Sequence, residues 1–284
     1  MSLPNARPPM TERQILGSPI VVDCHVHIHD HFDLGRFFDA AAANFTHAAA
    51  ESSIPGHAAG ALLLSEVQGT RFFAVLRDDT DSLQAGLGPW RIFSTPDPRA
   101  LLIEKTSTMP LLLVAGRQVR TVEGLEVLAL GSLSSIPDGG EIQTTIEQVR
   151  DAGGLPVIPW GFGKWTLARG RRIRQLIDTA EPEAFCLGDV GGRWIGSKEP
   201  ALLTEGRCQG FTVLPGSDPL PFGREIARPG SSGMVLPCSL DMGRAVEELL
   251  LALRGDLSDA RAYMQLESLG IFLQHQILMQ VRKL

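Results

Sequence analysis

The stretch Val21-Val22-Asp23-Cys24-His25-Val26-His27-Ile28-His29-Asp30-His31 constrains this chain more than any other. Four of its seven histidines fall here, directly after an apolar run. Strand side chains alternate faces, so a strand over 20–28 projects His25 and His27 from one face. Two neutral imidazoles on one face, near a strand end, can share a divalent cation. His29 keeps the parity, but Asp30-His31 marks the exit from the strand. The plain alternative is a polar strand end with solvated histidines. Asp23 and the apolar strand before it favour a metal pair, or the relic of one.

A chain of 284 residues suffices for a large α/β core. We expect one domain over 17–284, behind a polar, Pro-rich and flexible N-terminus, 1–16. A net charge of −6 argues against a nucleic-acid surface over the whole molecule, though not against a local basic pocket. Cys24, Cys186, Cys208 and Cys238 are scattered, with no Cys-x-x-Cys pair, which suits reduced thiols. No apolar run approaches the ~18 residues of a membrane span. The N-terminus lacks the apolar core of a signal peptide. The expectation is a cytoplasmic protein without nucleic-acid or membrane partners; composition is silent on oligomeric state.

Along the chain, strands are expected at 17–28, 59–65, 155–159, 185–187 and 211–214, with helices from after Phe32 through the alanine-rich 40–50, around 69–76, over 141–152 and over 166–180 between them. Gly153-Gly154 stops one of these helices. The segment 90–130 breaks the alternation with four apolar runs, split by Pro, Asp, Gly or Thr, and reads as a β-meander. From Asp241 the pattern is helical. Strand–helix alternation argues for a parallel sheet with crossovers. No Gly-x-Gly-x-x-Gly follows the first strand, so dinucleotide binding lacks its main signal. With His-x-His on strand one, the expected fold is a closed or distorted TIM-like (β/α) barrel.

Chemistry in a barrel sits at the carboxyl ends of the strands. That rule singles out His25, His27, Glu66, Gln118, Trp160 to Lys164, Asp189 and Asp218. Asp218 follows an apolar run and a Gly-Ser turn, so it is either a ligand or an Asx turn. Glu66 is a ligand, a general base or a surface carboxylate.

Taken in order, these segments resemble the PHP family (polymerase and histidinol phosphatase domain), a metal-dependent relative in architecture of the amidohydrolases. Asp23-Cys24-His25-Val26-His27 looks like its opening His-x-His. Val114-Ala115-Gly116-Arg117-Gln118 looks like the strand that carries a bridging Glu. The helix, Gly pair and strand ending at Pro159-Trp160 look like those before a ligand His. Gly216-Ser217-Asp218-Pro219-Leu220 looks like Gly-Ser-Asp-x-His. On this register Gln118 replaces the bridging Glu, Trp160 and Leu220 replace histidines, and Glu66-Val67 replaces Asp-His. The resemblance therefore implies a PHP-like barrel with a degenerate ligand set: one divalent ion on His25, His27 and Asp218, or none. Zinc is the first choice, with manganese or iron as alternatives.

Trp160-Gly161-Phe162-Gly163-Lys164 and Gly188-Asp189-Val190-Gly191-Gly192-Arg193 are Gly-rich loops after strands, each with a cation. Such loops on one face suit a small anionic partner. The expected function is a mononuclear metal-dependent hydrolase acting on a small anionic substrate, its bond a phosphoester or an amide. Asp218 or Glu66 would take the proton, and Gln118, Trp160, Lys164, Asp189 and Arg193 would contact the substrate. The rivals are a non-catalytic relative that keeps only the anion pocket, and an amidohydrolase-type lyase or decarboxylase. His275, within a C-terminal apolar run, is read as a core or surface histidine.

Overall fold

The computed structural model describes residues 15–79 and 86–281. Of the expected flexible segment 1–16, residues 1–14 therefore lie outside the described part. Ile15–Leu16 form β1, which pairs antiparallel with β13 (Leu240–Asp241).

The fully buried β2 (Ile20–Val26) leads through α1 (Leu34–Ser52) to β3 (Ala59–Leu64), and both strands are solidly apolar apart from Asp23 and His25. Asp33 caps α1 by accepting from the Arg36 N–H at 2.8 Å. After α2 (Phe72–Asp78) come β4 (Arg91–Ser94), β5 (Ala100–Glu104) and β6 (Leu111–Val114). These strands join β2 and β3 in a seven-stranded sheet, completed by β12 (Ser232–Leu236) and β14 (Arg261–Met264), in the order β14-β12-β2-β3-β6-β5-β4.

A second sheet begins one residue after β6. It holds the hairpin β7 (Gly116–Arg120) and β8 (Glu126–Leu130), then β9 (Leu155–Pro159), β10 (Cys186–Val190) and β11 (Val213–Gly216), which run parallel to one another. Helices α3 (Ile142–Asp151), α4 (Leu167–Thr179) and α5 (Ala201–Cys208) make the connections.

The expected (β/α) barrel does not form. Among the described residues the strands make three separate sheets, none closed. The reason lies in the breakers of 90–130. Strands β4 to β8 follow one another too closely for crossover helices, so β4, β5 and β6 pair antiparallel in one sheet and β7 with β8 in the other. Only Ala115 separates β6 from β7, and there the chain passes from one sheet to the other. Gly116 permits the step: a Cβ on it would lie 2.2 Å from the Leu64 carbonyl oxygen.

The layers follow from which faces are apolar. One core lies between the two large sheets, built from Val22, Leu63, Val114, Leu128, Val157 and Leu214, and α6 (Ala245–Arg254) seals it with Val246, Leu249, Leu250 and Leu253. A second core packs α1 and α2 on the outer face of the seven-stranded sheet. A third packs α3, α4 and α5 on the outer face of the other sheet. The last helix, α7 (Leu269–Val281), buries only Phe272 and His275.

At one edge the sheets meet through β2 and β11. The Asp218 N–H donates to the His25 carbonyl at 2.8 Å. Gly216 lies so close to β2 that a Cβ on it would fall 2.5 Å from the Cβ of His25. This seam brings the carboxyl ends of the two sets of parallel strands together.

Candidate functional site

Asp23 organises the seam. It is fully buried, and its Oδ1 accepts from the N–H of Ser217 at 2.9 Å and of His25 at 3.2 Å. Its Oδ2 accepts from the Ser217 hydroxyl at 2.5 Å and the Gly230 N–H at 2.8 Å. Burial lifts this carboxyl to about 6, against the lowering effect of those hydrogen bonds. The clamp ties β2 to the turn after β11, where Asp218 takes a left-handed backbone (φ 45°). Asp tolerates that conformation better than most residues, and such backbones cluster at functional sites.

The result is a convergence of three ligand atoms. His25 Nε2 and His27 Nε2 lie 3.0 Å apart, and Asp218 Oδ1 lies 3.5 Å from the first and 3.3 Å from the second. A tetrahedral ion with bonds of ~2.1 Å has ligand atoms about 3.4 Å apart, so the spacing fits one ion at the centre of this face. Burial lowers the His25 imidazole to about 4, against the opposing charge of Asp218, so it is neutral and free to ligate at pH 7. Burial works to raise the Asp218 carboxyl, but His25, His27 and Lys164 outweigh it and hold the group well below the usual carboxylate range. The donor set thus fits a divalent cation. One feature departs from common metal sites: the buried Nδ1 of His25 has no hydrogen-bond partner, so no bond on that side of the ring fixes its orientation. His29 stands apart, its Nε2 2.9 Å from the Pro219 carbonyl oxygen.

Asp218 opens onto a cavity of about 140 Å³, which Trp160, Gly161, Phe162 and Lys164 also line. The loop after β9 therefore faces the site, as the strand-end rule requires. Lys164 Nζ pairs with Glu126 Oε2 at 2.5 Å, and the lysine stem lies against Gly161. The opposite wall holds a buried ionic network. His275 Nδ1 lies 3.1 Å from Glu267 Oε2, His275 Nε2 lies 3.3 Å from Glu225 Oε1, and Arg228 Nη1 donates to Glu267 at 3.0 Å. Arg224 Nε donates to His275 Nε2 at 3.1 Å, and Arg228 Nη2 donates to the Ser217 carbonyl at 3.3 Å. Two guanidiniums balance the two carboxylates, so this cluster is complete without a cation.

Other expected site residues lie elsewhere. Glu66 Oε1 accepts from the Phe73 N–H at 2.8 Å and so caps α2; burial raises its carboxyl against that bond. Gln118 sits mid-strand in β7, its N–H bonded to the Glu66 carbonyl at 2.8 Å. Neither lines the cavity. Arg193 and Asp189 form a buried bidentate pair, with Nη2–Oδ2 at 2.7 Å and Nε–Oδ1 at 3.2 Å. Removing one partner would strand a buried charge. Replacing Arg193 by Ala should therefore cost about 3 kcal/mol of stability. Urea unfolding checks this, and a loss below about 1 kcal/mol would contradict it.

Glu126, Arg228, Glu225, Glu267 and His275 were missed by reading strand ends alone. Glu126 begins a strand that runs antiparallel to β9, so its first residue shares an edge with the last residues of the parallel strands. The other four sit on a short 3₁₀ turn, its C-cap, a loop and α7, for which no strand rule applies.

No protein-family model matches the chain, and no curated protein matches it. Among solved structures it is similar to PsfC from Pseudomonas syringae PB-5123, with a TM-score of 0.42 and 13% identity over 83% of this chain and 96% of that one. It is also similar to a two-domain protein from Bacteroides vulgatus containing a predicted PHP-like metal-dependent phosphoesterase, with a TM-score of 0.40 and 11% identity over 92% of this chain and 70% of that one. No helix among the described residues is long and apolar enough to cross a membrane. The likeness is a remote one, and what the site can do follows from its own side chains.

Proposed function

We propose that the chain is a mononuclear metal-dependent hydrolase acting on a small anionic substrate, with its ion on His25, His27 and Asp218. The convergence of those three ligand atoms at tetrahedral spacing, beside a cavity, carries the reading. A divalent cation held there supplies Lewis acidity and a water nucleophile acidified toward neutral pH. Asp218 is held ionised, which suits it to ligate the ion, whereas the Glu66 carboxylate is occupied at the start of α2. Lys164, paired with Glu126, and Arg228, paired with Glu267, both line the cavity, and Trp160 and Phe162 add apolar surface to its wall. Arg193, expected to hold the anion, is instead paired with Asp189.

Elemental analysis of protein purified without chelator tests the metal, with one zinc per chain expected. Two ions, or none after zinc is added back, would overturn the reading. A second reading, an anion-binding protein without metal, draws on the direct 3.0 Å approach of the two Nε2 atoms, which one shared proton also satisfies. Inorganic phosphate, binding equally with and without zinc, would favour that protein.

The anion claim has its own outcome. Replacing Lys164 by Met should weaken inorganic phosphate binding by ~10-fold, the worth of one charge-assisted hydrogen bond. Calorimetric titration checks it, and unchanged affinity would remove Lys164 from the site.

A further inference from the structure

The surface of the molecule is not evenly apolar. Fifteen large hydrophobic side chains are exposed among the described residues, and six of them belong to the thirteen-residue α7. Leu269, Leu273, Ile277 and Val281 recur every four residues and so form one stripe, with Ile271 and Leu278 on its flank. Two more adjoin the helix: Phe162 packs edge-on against Phe272 at 5.0 Å, and Ile195 donates its N–H to the Glu267 carbonyl at 2.8 Å. The remaining seven are scattered singly, as on any soluble protein.

Two observations, the charge and the area of the helix surface, bear on what covers this face. The helix carries no Lys, Arg, Asp or Glu from Leu269 to Val281. A helix that binds an anionic membrane surface carries basic residues along its polar side, and this one has none between Leu269 and Val281, although Arg282 and Lys283 follow in the sequence. The six exposed side chains of α7 offer roughly 500 Å² of apolar surface, so two copies together reach the ~1,000 Å² that a specific protein interface needs. A uniformly uncharged stripe also needs no complementary pattern, so it matches itself when two copies meet about a two-fold axis.

We propose that the outer face of α7 pairs with the same face of a second copy of this chain. The pairing has a consequence for the cavity, because the inner face of α7 supplies Phe272, His275, Gln276 and Met279 to its wall. Only Phe272 and His275 anchor that wall to the rest of the chain by burial. A short helix held by two buried side chains is marginal by itself, since most helical stability comes from packing. The second copy clamps the helix from outside and so keeps the cavity wall in place.

Sedimentation velocity of the full chain, without added ligand, tests the proposal. At about 10 µM, above the dissociation constant of a specific interface, the mass should be twice the 30.7 kDa of one chain. The double variant Leu273→Glu/Ile277→Glu should raise the dimer dissociation constant at least ~100-fold, as expected for charges at the centre of an interface. It should keep one zinc per chain, since His25, His27 and Asp218 lie on other elements. Loss of dimer with retained zinc thus separates this proposal from the metal reading. Should the double variant fail to fold, oxidation of Ile277→Cys in a Cys208→Ser background provides the second measurement, with a covalent dimer expected. A monomeric parent chain, a dimer indifferent to both glutamates, or a monomer that sediments with phosphatidylcholine–phosphatidylglycerol vesicles would each overturn the proposal.

Discussion

Replacing His25 by Ala should weaken zinc binding by about 1,000-fold or more, and it should also flatten the response of the metal-free protein to acid. The first effect follows from losing one of three ligands, since Glu66 is bound at the start of α2 and Gln118 sits mid-strand in β7, outside the cavity. The second follows from burial. In the folded chain the His25 imidazole is lowered from 6.5 to about 4. Between those two values the unfolded chain binds a proton that the folded chain refuses. The stability supplied by keeping His25 neutral is therefore complete above pH 6.5 and is lost as pH falls toward 4. The gap corresponds to roughly 3 kcal/mol. Urea unfolding of metal-free protein at pH 7 and pH 4 should thus show the parent losing roughly 3 kcal/mol more than the variant. The cavity left by the shorter side chain costs the same at both pH values and cancels from the comparison. Equal acid responses would mean that His25 is solvated, and zinc affinity within tenfold of the parent would place the ligands elsewhere.

The parts of the candidate site that were legible in the sequence share one property: they follow parallel strands. His25, His27 and Asp218 lie at or just beyond the carboxyl ends of β2 and β11, and Trp160 and Lys164 follow β9. An apolar run marks each place without any long-range information, followed directly by the histidines in β2 and by a Gly or Pro break before Asp218, Trp160 and Lys164. The closed barrel was not legible, because periodicity identifies strands but not their partners. Whether β6 continues to β7 within one sheet or crosses to another depends on a single residue, Ala115, and on the room left by Gly116. The ionic wall was hidden for a related reason. His275 lies in an apolar helical run whose spacing shows no single face, and its partners Glu225 and Glu267 are 50 and 8 residues away. Arg193 illustrates the opposite error. A cation after a Gly-rich loop points to an anion, but the anion it meets is Asp189, four residues earlier in the same segment.

The seam between β2 and β11 makes a second large effect expected, from Asp23→Ala. Without this carboxylate, the Ser217, Gly230 and His25 N–H groups and the Ser217 hydroxyl lose their acceptor in a buried place. Unsatisfied buried donors cost about 1 kcal/mol or more each, offset in part because a buried carboxylate no longer has to be kept out of water. The net loss should be about 2 kcal/mol at pH 7. Its pH dependence is the reverse of that of most carboxylates. The folded-state value of Asp23 is raised from 3.8 to about 6, so between those values the folded chain holds a proton that the unfolded chain has released. The contribution of Asp23 to stability is therefore greatest below pH 3.8 and falls by roughly 3 kcal/mol as pH rises through 6. The deficit of the variant should accordingly be larger at pH 4 than at pH 7, which urea unfolding at the two pH values measures. Zinc affinity should fall ~10- to 100-fold, as it does when a group that orients a ligand is removed, because the Ser217-Asp218 turn loses its anchor. Asp23→Asn should not restore it, since the amide offers a donor where an acceptor is needed. If the alanine variant keeps full zinc affinity, or its deficit is smaller at pH 4 than at pH 7, then the main-chain bond from Asp218 to His25 holds the seam without the buried carboxylate.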